Sequence, residues 1–307
     1  MQRLLAAFLF FTVVSNTHAQ NKRLLKYVDP YVGTAPSTTL SAGKHGAGTE
    51  QRANTIPAVG VPFGMTQWTP QTQRLETKCV PPYIYQDRTM SGFRGTHWLS
   101  GSCVPDYGSV TIMPVTGKLV TANVEVSAAF SHADEITRPD YYRTKFTDNE
   151  LVTEITATAR CGIMQFTASK DDSLYLLVTP NSDKGKAHIY VNRSANEVSG
   201  YNPAYRIYVG SGKPAGFSGY FVMRVESIAA NGGVFTGDSH FAADSIADKK
   251  DIGAYLGFKV TKGEVVRIKI GTSFTSIAAA RKNLETEIPG WDFNGVRAKA
   301  AAAGKKH

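Results

Sequence analysis

From about residue 110 onward the chain is a succession of short segments in which apolar and polar residues alternate at every second position, and that period constrains the fold more than any other feature. In residues 151–158 (LVTEITAT), Leu151, Thr153, Ile155 and Ala157 fall on one face, and Val152, Glu154, Thr156 and Thr158 on the other. Successive side chains of a strand point to opposite faces, so this period is that of a strand with one buried side. Residues 162–168, 173–179, 188–192, 205–209, 220–227, 252–260 and 264–274 read the same way, and Thr261-Lys262-Gly263 joins the last two as a hairpin-type loop. Gly, Asn, Asp and Ser separate the runs, as turns require. No long helical pattern alternates with them, which argues against a parallel α/β sheet. The expected fold is mostly β, a large antiparallel β-sandwich.

The two ends differ from this body. A short basic start, the apolar run 4–14 (LLAAFLFFTVV) and the small residue Ala19 read as a secretory signal over residues 1–19. The run is about half of the ~20 apolar residues that a membrane helix needs, and no later segment reaches that length. The expected destination is therefore the periplasm or the exterior, with no membrane span. Residues 20–275 are read as the sandwich. In residues 276–307, Ser276 can cap a helix that places Ile277, Ala280, Leu284 and Ile288 on one face, and Asp292 can cap another. The alanine-rich tail beyond Val296 has almost no large apolar residue, so a helix there has little face to bury and little reason to be ordered.

The 307 residues carry 34 Lys+Arg against 25 Asp+Glu, a net charge of +9. The basic residues are scattered, with no arginine-rich stripe and no nucleic-acid module, so the surplus reads as a solvated basic surface and nucleic acid is not an expected partner. Cys79, Cys103 and Cys161 match no zinc spacing and allow at most one disulfide, of unreadable connectivity.

The segment with the most chemical character is residues 83–109 (YIYQDRTMSGFRGTHWLSGSCVPDYGS), which reads as a loop-rich region. Glycines let backbone approach a ligand, and stiff aromatic rings present flat apolar faces. Together with a carboxylate such as Asp106, able to accept from adjacent hydroxyls, they suit a sugar. The same composition also packs under a sandwich without binding anything. The neighbouring Asp134 and Glu135 read as a solvated pair, because adjacent strand residues point apart. The serines of GTSFT and SGSC form no nucleophile elbow.

In order and wording, YVDPYVGT (27–34), NTIPAVGVPFGMTQWTPQT (54–72) and residues 83–109 resemble the N-terminal domain of glycoside hydrolase family 92, the exo-acting α-mannosidases. FSHADE (130–135), TRPDYY (137–142), ITATAR (155–160), GTSFTS (271–276) and IPGWDF (288–293) extend the resemblance over nearly the whole chain. It implies a sandwich of the large "supersandwich" type, a short C-terminal helical segment and, beyond it, an (α/α)6 catalytic domain missing from this chain. It also implies that the general acid, the base carboxylates and the protein ligands of the family's Ca²⁺ lie in that missing domain. An inverting glycosidase needs two carboxyl groups about 6.5–9.5 Å apart, so hydrolysis by this chain alone is not expected. No catalytic residue and no metal ligand is therefore assigned. The wording GFRGTHWLSGSC is most like the branch acting on α-1,2 linkages. The resemblance makes the loop holding Trp98 and Asp106 one wall of a mannose pocket, with Trp98 as an apolar platform, Asp106 and His97 as hydroxyl partners and Cys103 shaping the pocket. Gly64 and Trp68 are further candidates. The expected partners are a mannose-containing glycan and the helical domain, and the alternative is an exported lectin-like module that binds mannosides unaided.

Overall fold

The computed structural model describes residues 24–38, 53–73, 80–101, 104–121, 126–182, 185–205 and 212–304. Two large sheets face each other. One has seven strands in the order β1 (Gln67–Gln71), β3 (Gly92–Thr96), β4 (Val110–Thr116), β10 (Asp172–Pro180), β17 (Ile252–Val260), β14 (Asn231–Thr236) and β15 (Ser239–Phe241). The other has nine, in the order β16 (Ser245–Ala247), β11 (His188–Asn192), β12 (Glu197–Tyr205), β13 (Pro214–Val225), β18 (Val265–Ser273), β9 (Cys161–Thr167), β8 (Val152–Ala157), β7 (Tyr141–Lys145) and β6 (Ile136–Arg138). A two-stranded ribbon pairs β2 (Thr89–Met90) with β5 (Ala128–Ala129). The pairings are antiparallel, so the fold is the mostly-β sandwich that the alternation calls for.

Period two sorts each strand's side chains into two layers. In β9, Met164 and Phe166 enter the core between the sheets, where they join Phe93, Ile112, Leu176, Phe221 and Ile268. Cys161 and Ile163 point the other way, into a second apolar cluster with Val222 and Tyr141. That cluster is closed by two helices, α1 (Ile277–Glu287) and α2 (Phe293–Ala303). The Ser276 hydroxyl accepts from the Ala279 amide and buries Ala280, Leu284 and Ile288 on the face that the spacing predicts. Asp292 caps α2 through the Gly295 amide at 2.9 Å.

The tail corrects the expectation made for it. α2 runs through the alanines and buries Phe293, Val296 and Ala300 against β8 and β9. Burying a side chain the size of Phe293 contributes about 1.5–3 kcal/mol, so two large anchors and one small contact suffice to hold the helix. Polar clamps fix the same segment. Lys269 Nζ donates to the carbonyls of Ile288, Pro289 and Gly290 at 2.8, 3.1 and 3.4 Å, tying down the cap of α1 and the two residues after it. Arg281 and Arg224 both pair with Glu197, and Glu287 holds the Thr158 hydroxyl and Arg160.

Two strands lie where the sequence showed loops. Residues 197–205 contain Gly200, Asn202 and Pro203, yet they form β12, with a register irregularity between Pro203 and Tyr205. A Cβ at Gly200 would stand 2.3 Å from the His188 carbonyl and 2.9 Å from the Phe221 ring, so the glycine marks a close approach within the sheet rather than a turn. Residues 92–96 form the fully buried β3 inside the segment read as loop-rich. Pro70 is tolerated in β1 because β1 is an edge strand.

Candidate functional site

The connection from β3 to β4 carries the predicted sugar-wall residues, and a buried polar frame shapes it. Asp106 Oδ2 accepts from Arg94 Nη1 at 3.0 Å and from the Thr96 hydroxyl at 2.7 Å. Its Oδ1 accepts from the backbone amides of His97 at 3.0 Å and Tyr107 at 2.9 Å. Arg94 in turn donates through Nε to Gln71 Oε1 at 2.6 Å, and the Thr111 hydroxyl donates to the same oxygen at 2.9 Å. Both members of the Arg94–Asp106 pair are almost wholly buried. A carboxylate offers about four lone-pair sites, and the protein's own donors take four here.

The resemblance makes Asp106 and His97 hydroxyl partners of a sugar, and in the structure the protein's own donors occupy Asp106. Asp106 is spent on holding the loop. His97 is also buried, with Nδ1 2.8 Å from the Tyr107 carbonyl, which requires the proton on that nitrogen, and Nε2 3.2 Å from the Thr66 hydroxyl. Burial lowers the affinity of the ring for a second proton, against the opposing pull of Asp106 and the Tyr107 carbonyl.

Trp98, the expected apolar platform, packs inside the loop. It is 5% exposed, and its indole N–H donates to the Asn54 carbonyl at 2.8 Å. The Gly101 amide donates to that same carbonyl at 3.1 Å, so Asn54 pins the loop at both ends of the tip 98–101. Trp68 lies in the core: its ring covers Gly95 of one sheet and Gly162 of the other, where a Cβ would come within 2.9 and 2.5 Å of it. Gly64 closes a tight turn onto the Val61 carbonyl, its Cα face against Ala159. Cys103 lies outside the described residues. The structure thus gathers His97, Trp98 and Asp106 into one network, joins it to the 54–72 segment through Asn54 and Thr66, and sends Trp68 elsewhere.

What this frame presents to solvent is a loop tip and an aromatic patch. Leu99 is 56% exposed, with Ser100 and Gly101 exposed beside it. Tyr107 and Phe274 pack against His97, and Phe217, 43% exposed, meets both of them edge-on. Gly108 and Gly219 bring the loop onto β13: a Cβ on Gly219 would lie 2.0 Å from the Gly108 carbonyl. Among the described residues, no three His, Cys, Asp or Glu side chains come together as a metal site.

A second cluster was missed in the sequence. Glu135, expected to be solvated, has a fully buried side chain. It accepts from the hydroxyls of Tyr31 (2.9 Å), Tyr83 (3.1 Å) and Tyr142, and lies 2.5 Å from His132 Nδ1. Burial and the Glu135 charge push all three phenols up, so they remain donors. Four separate motif segments, 27–34, 83–109, 130–135 and 137–142, meet at this one carboxylate. The signal was present as unexplained tyrosines in three of them, with the carboxylate itself in the fourth.

Comparison with known proteins places this geometry. Among solved structures, the family GH92 inverting mannosidase BT2199 from Bacteroides thetaiotaomicron VPI-5482 superposes with a TM-score of 0.79 at 30% identity, over 92% of this chain and 36% of that one. The GH92 α-mannosidase BT3965 of the same species, in complex with mannoimidazole, superposes with a TM-score of 0.76 at 23% identity, over 93% of this chain and 37% of that one. The chain thus spans little more than a third of the length of either structure. Comparison with the curated proteins gives no match. The family model described as "Glycosyl hydrolase family 92 N-terminal domain" matches residues 27–273, so the chain belongs to glycosyl hydrolase family 92 through that domain.

Proposed function

We propose that this chain is the sandwich part of an exported family 92 exo-α-mannosidase of the α-1,2-acting type, and that its β3–β4 loop forms one wall of the mannoside pocket. The observation that carries the reading is the family match over residues 27–273, supported by a loop held rigid from below and exposed at its tip. In this reading Asp106, Arg94, His97 and Trp98 are positioning residues. They fix the backbone of 98–101 so that Leu99, Ser100 and Gly101, together with the Tyr107–Phe217 patch, meet the sugar. A wall fixed before the sugar arrives avoids the ordering cost of a mobile one.

The acid and base carboxylates are assigned to the helical domain of the family. The ligands of the family's calcium are assigned to the helical domain as well; among the described residues no three His, Cys, Asp or Glu side chains come together as a metal site, and no step is routed through the ion. The test is to mix this chain with a separately produced family 92 helical domain and follow release of mannose from an α-1,2-mannobioside. Release by the mixture, with neither part active alone, is expected. No release from a mixture shown by light scattering to be associated would overturn the reading.

A further inference from the structure

Next to the helices, the outer face of the nine-stranded sheet carries a row of aromatic rings. The antiparallel register sets His188 of β11 opposite Tyr201 of β12, and Tyr201 opposite Tyr220 of β13. Tyr190 stands two residues along β11, on the same face. Ring centroids lie 4.0 Å apart between Tyr190 and His188, 5.9 Å between His188 and Tyr201, and 5.8 Å between Tyr201 and Tyr220. Tyr190 is 39% exposed and the other three are half-buried.

The chemistry around the row selects its ligand. The residues registered beside it on this face, Ser245, Ala247, Ser199 and Ser273, are small and uncharged. Asp248, exposed and tied by its amide to the Ala187 carbonyl at 3.2 Å, stands at the β11 end of the row, with Lys249 and Lys250 next to it in the sequence and Lys186 next to Ala187. Aromatic faces carry a negative quadrupole, which suits the C–H face of a sugar ring, while tyrosine hydroxyls and Asp248 can take up its hydroxyl rim. The row also has a direction. It begins at Tyr220, beside the contact of Gly219 with Gly108, and leads away from the β3–β4 loop.

We infer that the row Tyr220–Tyr201–His188–Tyr190 is a second glycan-binding surface, which holds the distal, uncharged sugar units of an oligosaccharide whose terminal unit lies at the β3–β4 loop. This extension rests on the mannosidase reading for the identity of the sugar. Cross-strand aromatic pairs also stabilise sheets by about 0.2–1 kcal/mol each, so the test separates binding from packing.

The test is affinity electrophoresis of the chain in native gels containing soluble α-mannan, with thermal unfolding measured in parallel. The parent protein should be retarded. Tyr190→Ala should weaken retardation about threefold and Tyr190→Ala/Tyr201→Ala tenfold or more, while Ile228→Ala, at an exposed apolar residue between β13 and β14, leaves it unchanged. The single variant removes an exposed ring, which keeps the measurement valid if the double variant unfolds. Absence of retardation, or retardation indifferent to Tyr190→Ala, would overturn the inference. So would variants that lower the melting temperature without altering mobility in mannan. Failure here with mannobioside hydrolysis still restored by the helical domain would refute the row alone, whereas row-dependent retardation with no hydrolysis would refute the mannosidase reading.

Discussion

Replacing Asp106 by alanine tests whether the β3–β4 loop is built from beneath. The substitution strips the counter-charge from Arg94, which is 1% exposed, and removes the acceptor of two backbone amides and the Thr96 hydroxyl. Breaking a buried ion pair by deleting one partner is destabilising by about 3–5 kcal/mol. Each orphaned amide adds roughly 1 kcal/mol, and a water entering the vacated space recovers part of it. About 4 kcal/mol is therefore expected, equivalent to roughly 8–16 °C in melting temperature at about 2–4 °C per kcal/mol for a domain of 150–250 residues. Urea unfolding followed by near-ultraviolet circular dichroism measures it. Adding Arg94→Met removes the stranded charge, so the double variant should regain at least 1 kcal/mol over Asp106→Ala. A single variant within 1 kcal/mol of the parent, or a double variant no more stable than the single, would refute the reasoning. A stable Asp106→Ala protein that had lost sugar binding would return Asp106 to the role of a direct sugar contact.

Other outcomes follow from the same structure. Burial, and then the Glu287 charge, push the Cys161 thiol well above its ordinary range, so iodoacetamide at pH 8 should leave Cys161 unmodified in the native protein and label it fully in urea, as read by peptide mass spectrometry. Burial raises the Glu197 carboxyl, but hydrogen bonds and charge from Arg281 and Arg224 outweigh it and hold it below its ordinary 4.5. Its stabilising contribution is therefore complete above that pH and lost as the pH falls through the lowered value, so Glu197→Gln should flatten the acid limb of a plot of urea midpoint against pH. Glu135→Ala strands three phenols and a histidine and should destabilise by about 3–5 kcal/mol. A smaller effect in equilibrium unfolding would mean that water satisfies the cluster.

The sandwich was legible because period two needs only the chain itself. Residues 151–158 alternate as expected, and β8, β9, β10, β17 and β18 follow. β12 was illegible, since Gly200 and Pro203 carry turn chemistry locally, and only the His188 carbonyl and the Phe221 ring on the neighbouring strands explain the glycine. His97, Trp98 and Asp106 of the loop come together in one network, but their burial was not legible. Whether Asp106 faces a sugar or an arginine depends on Arg94, which stands on a strand that the surrounding glycines made look like loop. Glu135 shows the same limit, because its partners come from segments up to 104 positions away.

The two helices seated on the nine-stranded sheet bear on where a stable fragment can be cut. Strand periodicity suggests a border at residue 275, yet a fragment ending there would turn Cys161, Ile163, Val222 and Tyr141 out to water in one contiguous oily strip. It would also leave the Lys269 ammonium facing that strip without the three carbonyls it now caps. Such a fragment would precipitate or pair with itself, whereas one carried through residue 304 keeps its own cover.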